Sequence, residues 1–252
     1  MKTSILKVTL LGTVLAAGTI VLSSTALAGD NDRMYRVTIT NATLGQPVAP
    51  SVIATHTSAF QLFEIGLTPE SGDSGYDDYF ALAAMAETGY PFHVLDQVSA
   101  SYGVWDAVAL PKDNGPNIPP VLFPGESNST IISASGNARY LSAAAMLGAT
   151  NDAFYAVRGA ALPRGVGDTT HVYANAYDAG SEANEESKDT VGALGAPTDG
   201  DNGASGTGIN TNGEGYIHVH AGIHGVGGAD GLSAATHDWR NPVVEVIIER
   251  IE

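Results

Sequence analysis

The fold class is decided by the stretch MYRVTIT, residues 34–40, in which large apolar side chains occupy every second position. These side chains are Tyr35, Val37 and Ile39. Successive side chains of a strand point to opposite faces, so this period of two predicts a strand with one buried face. The closing residues 242–251 repeat the pattern, with Val244, Val246 and Ile248 on one face. We expect these two strands to bracket one β-rich domain.

Between these strands the chain alternates short elements with turns rich in Pro, Gly, Asn and Asp. Residues 60–66 are predicted to form a strand, residues 75–87 an Ala-rich helix closed by Gly89, and residues 140–147 a short apolar helix or strand. Residues 192–215 have no apolar period, which predicts a long Gly-rich loop. Because strands outnumber helices, we predict a mostly β fold, an antiparallel β-sandwich with short helical insertions.

The first residues have the pattern of a secretory signal peptide. Lys2 and Lys7 form a short positive region, and Ala26-Leu27-Ala28 provides the small residues of a cleavage site. The apolar stretch at residues 8–22 is shorter than the roughly 20 residues of a membrane-spanning helix, which disfavours an anchor. We therefore expect residues 1–28 to be removed, leaving residues 29–252 as one secreted or periplasmic domain without membrane insertion.

The predicted mature chain is strongly acidic. The full sequence has 11 basic and 27 acidic residues, and loss of two lysines with the signal leaves 9 and 27, a formal charge of −18. Such a charge repels nucleic acid and other polyanions and attracts cations. The chain also has no cysteine, which excludes disulfides, thiolate metal sites and cysteine nucleophiles.

Residues 177–186, with the sequence YDAGSEANEE, place four carboxylates within ten positions. An acidic chain has many solvated acidic loops, but hard cations such as calcium are bound by similar clusters of oxygens. The glycine between Asp178 and Glu182 allows a turn that directs both carboxylates to one point. The D-x-D-x-D-G pattern of an EF-hand is missing, so a second loop must contribute to any calcium site.

The sequence HVHAGIH, residues 218–224, indicates a different kind of metal site. His218 and His220 project from one face if the segment is extended, and His224 returns to them if the chain turns at Gly222. Imidazole nitrogens are ligands for zinc or copper, and we expect such a site to be distinct from the calcium site. The alternative is a polar sheet face, and no signature such as H-E-x-x-H separates the two interpretations.

The tetrapeptide GDSG, residues 72–75, is similar to the nucleophile segment of trypsin-like serine proteases. Its surroundings do not fit that mechanism, because His56 and Ser74 are only 18 positions apart and the usual following glycine and proline are replaced. We therefore assign GDSG to an ordinary turn and predict no catalytic residue.

Four segments in one order carry a resemblance to a known family. FQLFEIG (60–66) with LAAMAETG (82–89) comes first, and AMLGATNDAFYAV (145–157) follows with a small-residue turn that delivers an Asp before an aromatic residue. DAGSE (178–182) and VVEVIIERI (243–251) complete the set. Together they resemble spondin domains, the amino-terminal domain type of the matrix protein F-spondin, in the free-standing form of exported microbial proteins.

The resemblance implies a β-sandwich with a calcium ion bound in loops at one end. Carried over residue by residue, it places calcium ligands at Asp152, Asp178 and Glu182. Glu182 stands where the animal domains have Asp. Glu185 and Glu186 match no ligand position, so we expect them to be solvated.

The resemblance also implies a function, an exported calcium-binding recognition and adhesion module that contacts matrix, cell-surface or glycan partners and is not an enzyme. Two alternatives stay open. One is a zinc- or copper-binding carrier or metalloenzyme built on His218, His220 and His224. The other is a purely structural component of the cell envelope.

Overall fold

A computed structural model of the protein describes residues 32–67, 81–110, 121–194 and 212–252. These ranges contain nine strands, three α-helices and one 3-10 turn. The strands are β1 (Arg33–Asn41), β2 (Val52–His56), β3 (Val104–Ala109), β4 (Ser127–Ala134), β5 (Tyr140–Met146), β6 (Ala153–Ala161), β7 (Thr169–Asp178), β8 (His218–Val219) and β9 (Val244–Arg250). The helices are α1 (Ala81–Thr88), α2 (Phe92–Ala100) and α3 (Ala234–His237), and the 3-10 turn is Gly192–Leu194.

Three predicted features lie wholly or mostly outside the described residues. They are the signal peptide at residues 1–28, the GDSG turn at residues 72–75 and the Gly-rich loop at residues 192–215. Among the described residues, no helix has both the length and the apolar composition that crossing a bilayer requires.

The nine strands form one antiparallel sheet in the order β3-β2-β5-β6-β7-β9-β1-β4, with β8 paired to β7 beside this path. Its two end strands meet through side chains, so the sheet is nearly closed. The Asp106 carboxylate on β3 accepts hydrogen bonds from the Ser133 N–H (2.9 Å) and hydroxyl (2.8 Å) on β4. The Thr55 hydroxyl donates to the Ser133 carbonyl at 2.6 Å. The predicted mostly β, antiparallel fold is confirmed.

The sheet has two halves with different outer faces. We call β1, β4 and β9 the solvated half, because buried and less buried residues alternate along these strands. Its inward side chains form the main core together with the inner faces of β2, β5 and β6. The predicted inward residues of β1 and β9 are all fully buried, and they are Tyr35, Val37, Ile39, Val244, Val246 and Ile248.

The other half, β2, β5 and β6, is covered on both faces, and we call it the covered half. Its outer face packs against α1 and α2 in a second apolar cluster. This cluster contains Val52, Ala54, Ala144, Phe154 and Ala156 from the strands and Leu82, Met85, Val94 and Val98 from the helices. Burial on both faces explains why residues 140–147 show no period of two, and they form strand β5.

The prediction of a strand at residues 60–66 is wrong. These residues form an irregular segment with a turn, in which Phe60 and Phe63 both reach the outer apolar cluster. Two apolar residues three positions apart would point to opposite faces of a strand, so their shared burial requires a bent backbone. Helix α1 ends as predicted, because Gly89 has φ +72° and its N–H donates to the Met85 carbonyl.

Candidate functional site

The pairing of β6 with β7 brings the predicted acidic residues together. Ala153 lies opposite Asp178 in this pairing, so Asp152 and Asp178 sit side by side at one end of the sheet. The chain after β7 then wraps around Asp152, because the Ala179 N–H donates to the Asp152 carbonyl oxygen at 3.1 Å. This arrangement places Glu182 next to Asp152, whose carboxylate accepts the Glu182 N–H at 3.0 Å.

Asp152 is fully buried and only one of its carboxylate oxygens is bonded. Oδ2 accepts hydrogen bonds from the Ser181 N–H (2.7 Å), the Ser181 hydroxyl (3.2 Å) and the Glu182 N–H (3.0 Å). Oδ1 is buried without a partner. Burial raises the pKa of Asp152 well above its usual value, the negative charge of Asp178 raises it further, and the N–H bonds only partly oppose this shift.

Asp178 is also almost fully buried. Its oxygens accept hydrogen bonds from the Gly180 N–H (2.7 Å) and from the Asn184 side-chain amide (2.6 Å). Burial raises the pKa of Asp178, whereas the Asn184 bond and the nearby His218 lower it. Gly180 has φ +71°, and a Cβ there would lie 2.3 Å from the Tyr216 carbonyl oxygen, so only glycine fits this turn.

The three buried acids form a cluster whose negative charge must be neutralised. Asp152, Asp178 and Glu182 are each no more than 3 % exposed. Neighbouring buried carboxylates either bind a proton or are neutralised by a cation. In the part of the chain that the structure describes, however, no three His, Asp or Glu side chains are already arranged as a set of metal ligands.

Two of the three predicted histidine ligands lie beside this cluster and not at a separate place. His218 Nδ1 is 3.8 Å from Asp178 Oδ1, and His220 Nε2 is 3.7 Å from Asp178 Oδ2. His220 is buried, and burial and the neighbouring imidazoles lower its pKa to about 4, so it is neutral at pH 7. The side chain of His224 is exposed, and the chain turns away at Gly222, which has φ +95°.

Both ring nitrogens of His220 are engaged. Its Nδ1 accepts a hydrogen bond from the Gly222 N–H at 2.9 Å, which fixes the tautomer with hydrogen on Nε2. That Nε2–H donates to the side-chain oxygen of Asn184 at 3.2 Å. Asn184 therefore links His220 to Asp178, a role that sequence analysis missed although Asn184 lies within the acidic stretch.

The expectation that Glu186 is solvated is wrong, whereas its neighbour Glu185 is exposed as predicted. Glu186 is only 2 % exposed, and its carboxylate accepts hydrogen bonds from three successive N–H groups. These donors belong to His224 (2.7 Å), Gly225 (2.5 Å) and Val226 (2.9 Å). Glu186 thus anchors the segment that follows the histidines, and it does not join the acidic cluster.

The chain was also compared with known proteins. Neither a scan against models of protein families nor a search of curated proteins found a match. The resemblance to spondin domains therefore stays a prediction.

Proposed function

We propose that the protein is an exported calcium-binding recognition module of the spondin type, with its ion at Asp152, Asp178 and Glu182. The observation that carries this proposal is Asp152 Oδ1, a buried carboxylate oxygen with no partner, in a cluster of three buried acids. A buried oxygen of this kind is costly unless a cation or a proton binds it. Calcium accepts carboxylate oxygens in loose geometry, which suits residues from an irregular loop.

Calcium binding requires the side chains to rearrange, because the acids are not already arranged as ligands. Asp178 is held by Gly180 and Asn184, whereas Asp152 Oδ1 has no bond to lose. The proposal thus rests on charge and burial. A bound ion would remove the repulsion that raises the pKa of Asp152.

The test is thermal unfolding of the mature chain in calcium and in a chelator. Calcium at a hundred times its dissociation constant contributes about 2.7 kcal/mol, or a rise in Tm of about 5–10 °C. Asp152→Asn should abolish this rise without lowering the Tm measured in chelator, because it removes a buried charge. Glu185→Gln, at an exposed position, is the matched control and should keep the full rise. An unchanged wild-type Tm, or an equal rise in Asp152→Asn, contradicts the proposal.

A second candidate is a zinc or copper site formed by His218, His220 and Asp178. The distances of 3.8 Å and 3.7 Å from the two imidazoles to Asp178 favour it. Against it, His220 would have to give up its bond to Asn184 before Nε2 could ligate a metal. Elemental analysis after reconstitution without an affinity tag separates the candidates, since a stoichiometric transition metal that is lost in His218→Ala supports this one.

The proposed partners are matrix, cell-surface or glycan ligands, with calcium acting as a structural clip that keeps the binding loops ordered. The formal charge of −16 for the full sequence supports the exclusion of nucleic acid. A glycan array probed with and without calcium tests this part. Calcium-independent binding counts against the role of calcium as a clip, and no binding to any glycan counts against glycan recognition.

A further inference from the structure

A cavity of about 410 Å³ opens on the outer face of the covered half, at the end opposite the acidic cluster. Its floor is formed by His56 of β2 and Ser142 of β5, and its walls come from residues 58–62 and from β6. This volume lies within the range of small-molecule sites, which are about 300–1,000 Å³.

A β-bulge shapes one side of the cavity. Leu141 pairs with Ala160 and Ala143 with Val157, so Arg158 and Gly159 together oppose the single residue Ser142. Gly159 has φ +72°, and its N–H turns to donate to the Ser142 hydroxyl oxygen at 3.0 Å. The bulge therefore brings both Arg158 and Gly159 to the cavity.

The polar floor is already satisfied by its own hydrogen bonds. His56 Nδ1 lies 2.7 Å from the Thr57 carbonyl oxygen, which accepts only, so this nitrogen carries the hydrogen. Burial lowers the pKa of His56, so the ring is neutral and Nε2 accepts the Ser142 hydroxyl at 2.9 Å. The specific polar contacts of a ligand must then come from the rim.

The wall is aromatic and the rim is polar. The Phe60 ring meets the His56 ring of the floor edge-on at 5.0 Å, and the Tyr140 ring stacks against His56 at 6.0 Å, so aromatic rings line the cavity from floor to wall. Arg158 is held at the rim, because its guanidinium lies 4.7 Å from the centre of the Phe63 ring and donates to the Phe63 carbonyl at 3.3 Å. Arg158 is the only charged side chain among the described residues that line the cavity.

We propose that this cavity binds a single acidic sugar of the hexuronic acid class, which deepens the proposed recognition function and rests on it. A pyranose ring has one apolar C–H face for the aromatic wall and a polar edge for the rim. Arg158 would pair with the sugar carboxylate, since a guanidinium matches carboxylate geometry, and Ser58 and Gln61 would bind hydroxyls. The overall charge of −16 disfavours a polyanionic chain, so the ligand is a terminal residue on an otherwise neutral glycan.

The test uses two probes that differ only at C6, methyl glucuronide and methyl glucoside of the same anomeric form. NMR titration of the mature chain should show saturable binding of the glucuronide, at least about tenfold tighter than the glucoside, because a charge-assisted pair is lost in the latter. Arg158→Gln should remove this preference. Arg36→Gln, an exposed arginine on the solvated half, should keep it.

Equal binding of the two sugars, binding of neither, or a preference retained by a folded Arg158→Gln variant would each overturn the inference. The cavity and the acidic cluster lie at opposite ends of the covered half, so the two sites can fail independently. Repeating the titration in calcium and in chelator tells the two failures apart. If no sugar binds but calcium still raises the Tm, only the assignment of the cavity is contradicted. If sugar binds but calcium leaves the Tm unchanged, only the assignment of the calcium site is contradicted.

Discussion

The solvated and covered halves of the sheet share one inner core but differ in what lies outside them. Water reaches the outer face of the solvated half, where Ile131 is 50 % exposed, whereas α1 and α2 cover the middle of the other half. Polar groups on the covered half must therefore find partners within the protein. The cavity lies at one end of this half, where β5 begins, and the acidic cluster lies at the other end, where β6 begins beside the last residue of β7.

The largest effect should come from removing an aromatic side chain on the covered half. Phe154 is fully buried, and its ring packs edge-on against Phe63 at 5.2 Å. Phe154→Ala should lower the free energy of unfolding by about 3–5 kcal/mol, because it leaves a cavity. Ile131→Ala on the solvated face should change it by about 0.5 kcal/mol or less. Urea unfolding measures both, and similar losses for the two variants would contradict the distinction between the halves.

A smaller loss is expected at Glu186, which lies in the loop beyond the covered half. Its carboxylate accepts three backbone N–H groups, and Glu186→Gln removes the charge and part of the acceptor capacity. We expect a loss of about 2–3 kcal/mol in the free energy of unfolding. Glu185→Gln is the control and should have no effect. Urea unfolding measures both variants, and equal free energies of unfolding would show that Glu186 does not anchor this loop.

The junction between the two end strands of the sheet is tested at Asp106, which joins β3 to β4 through Ser133. Asp106→Ala should lower the free energy of unfolding by about 1–2 kcal/mol, because the Ser133 N–H and hydroxyl lose their acceptor. Asp106→Asn keeps an acceptor oxygen and should lose less. Chemical denaturation of the pair checks this order, and the reverse order would show that the carboxylate does not close the sheet.

The smallest effect is the pH dependence contributed by His56. Burial lowers the pKa of His56 below the 6.5 of the unfolded chain, so the unfolded state takes up a proton first. The contribution of this residue to stability is therefore complete above pH 6.5 and is lost as the pH falls below it. The buried carboxylates titrate in the opposite sense, so the measurement is a difference between wild type and His56→Gln in urea unfolding at pH 7.5 and 5.5. The variant should lose less stability on acidification, and an equal loss would contradict the assignment.

The solvated half was predictable because one outer face meets water. Tyr35, Val37 and Ile39 alternate with less buried residues, and the sequence therefore records which face is inside. Residues 140–147 show no such alternation, because both faces of β5 are buried and carry small apolar residues. The segment at 60–66 was misassigned because Phe60 and Phe63 are buried against α1 and α2, which lie later in the chain. The local sequence pattern contains no information about that contact.

The candidate site was predictable only in part, because several of its contacts join residues that are far apart in the sequence. Asp178 was named from the acidic stretch and Asp152 only through the resemblance, and the structure brings the two together. The burial of Glu186 depends on N–H donors 38 to 40 residues further on, which have no side-chain signal. The contact of His56 with Ser142 spans 86 residues and exists only because β2 pairs with β5.

The side-chain junction at Ser133 also bears on how molecules of this protein meet one another. An exposed edge strand offers unpaired N–H and C=O groups to a strand of a second molecule, which is a common start of aggregation. At Ser133 the outward N–H is bonded to Asp106 and the carbonyl to Thr55, so an incoming strand finds no free backbone partner there. The same contacts that close the sheet thus protect β4 from intermolecular pairing at this position.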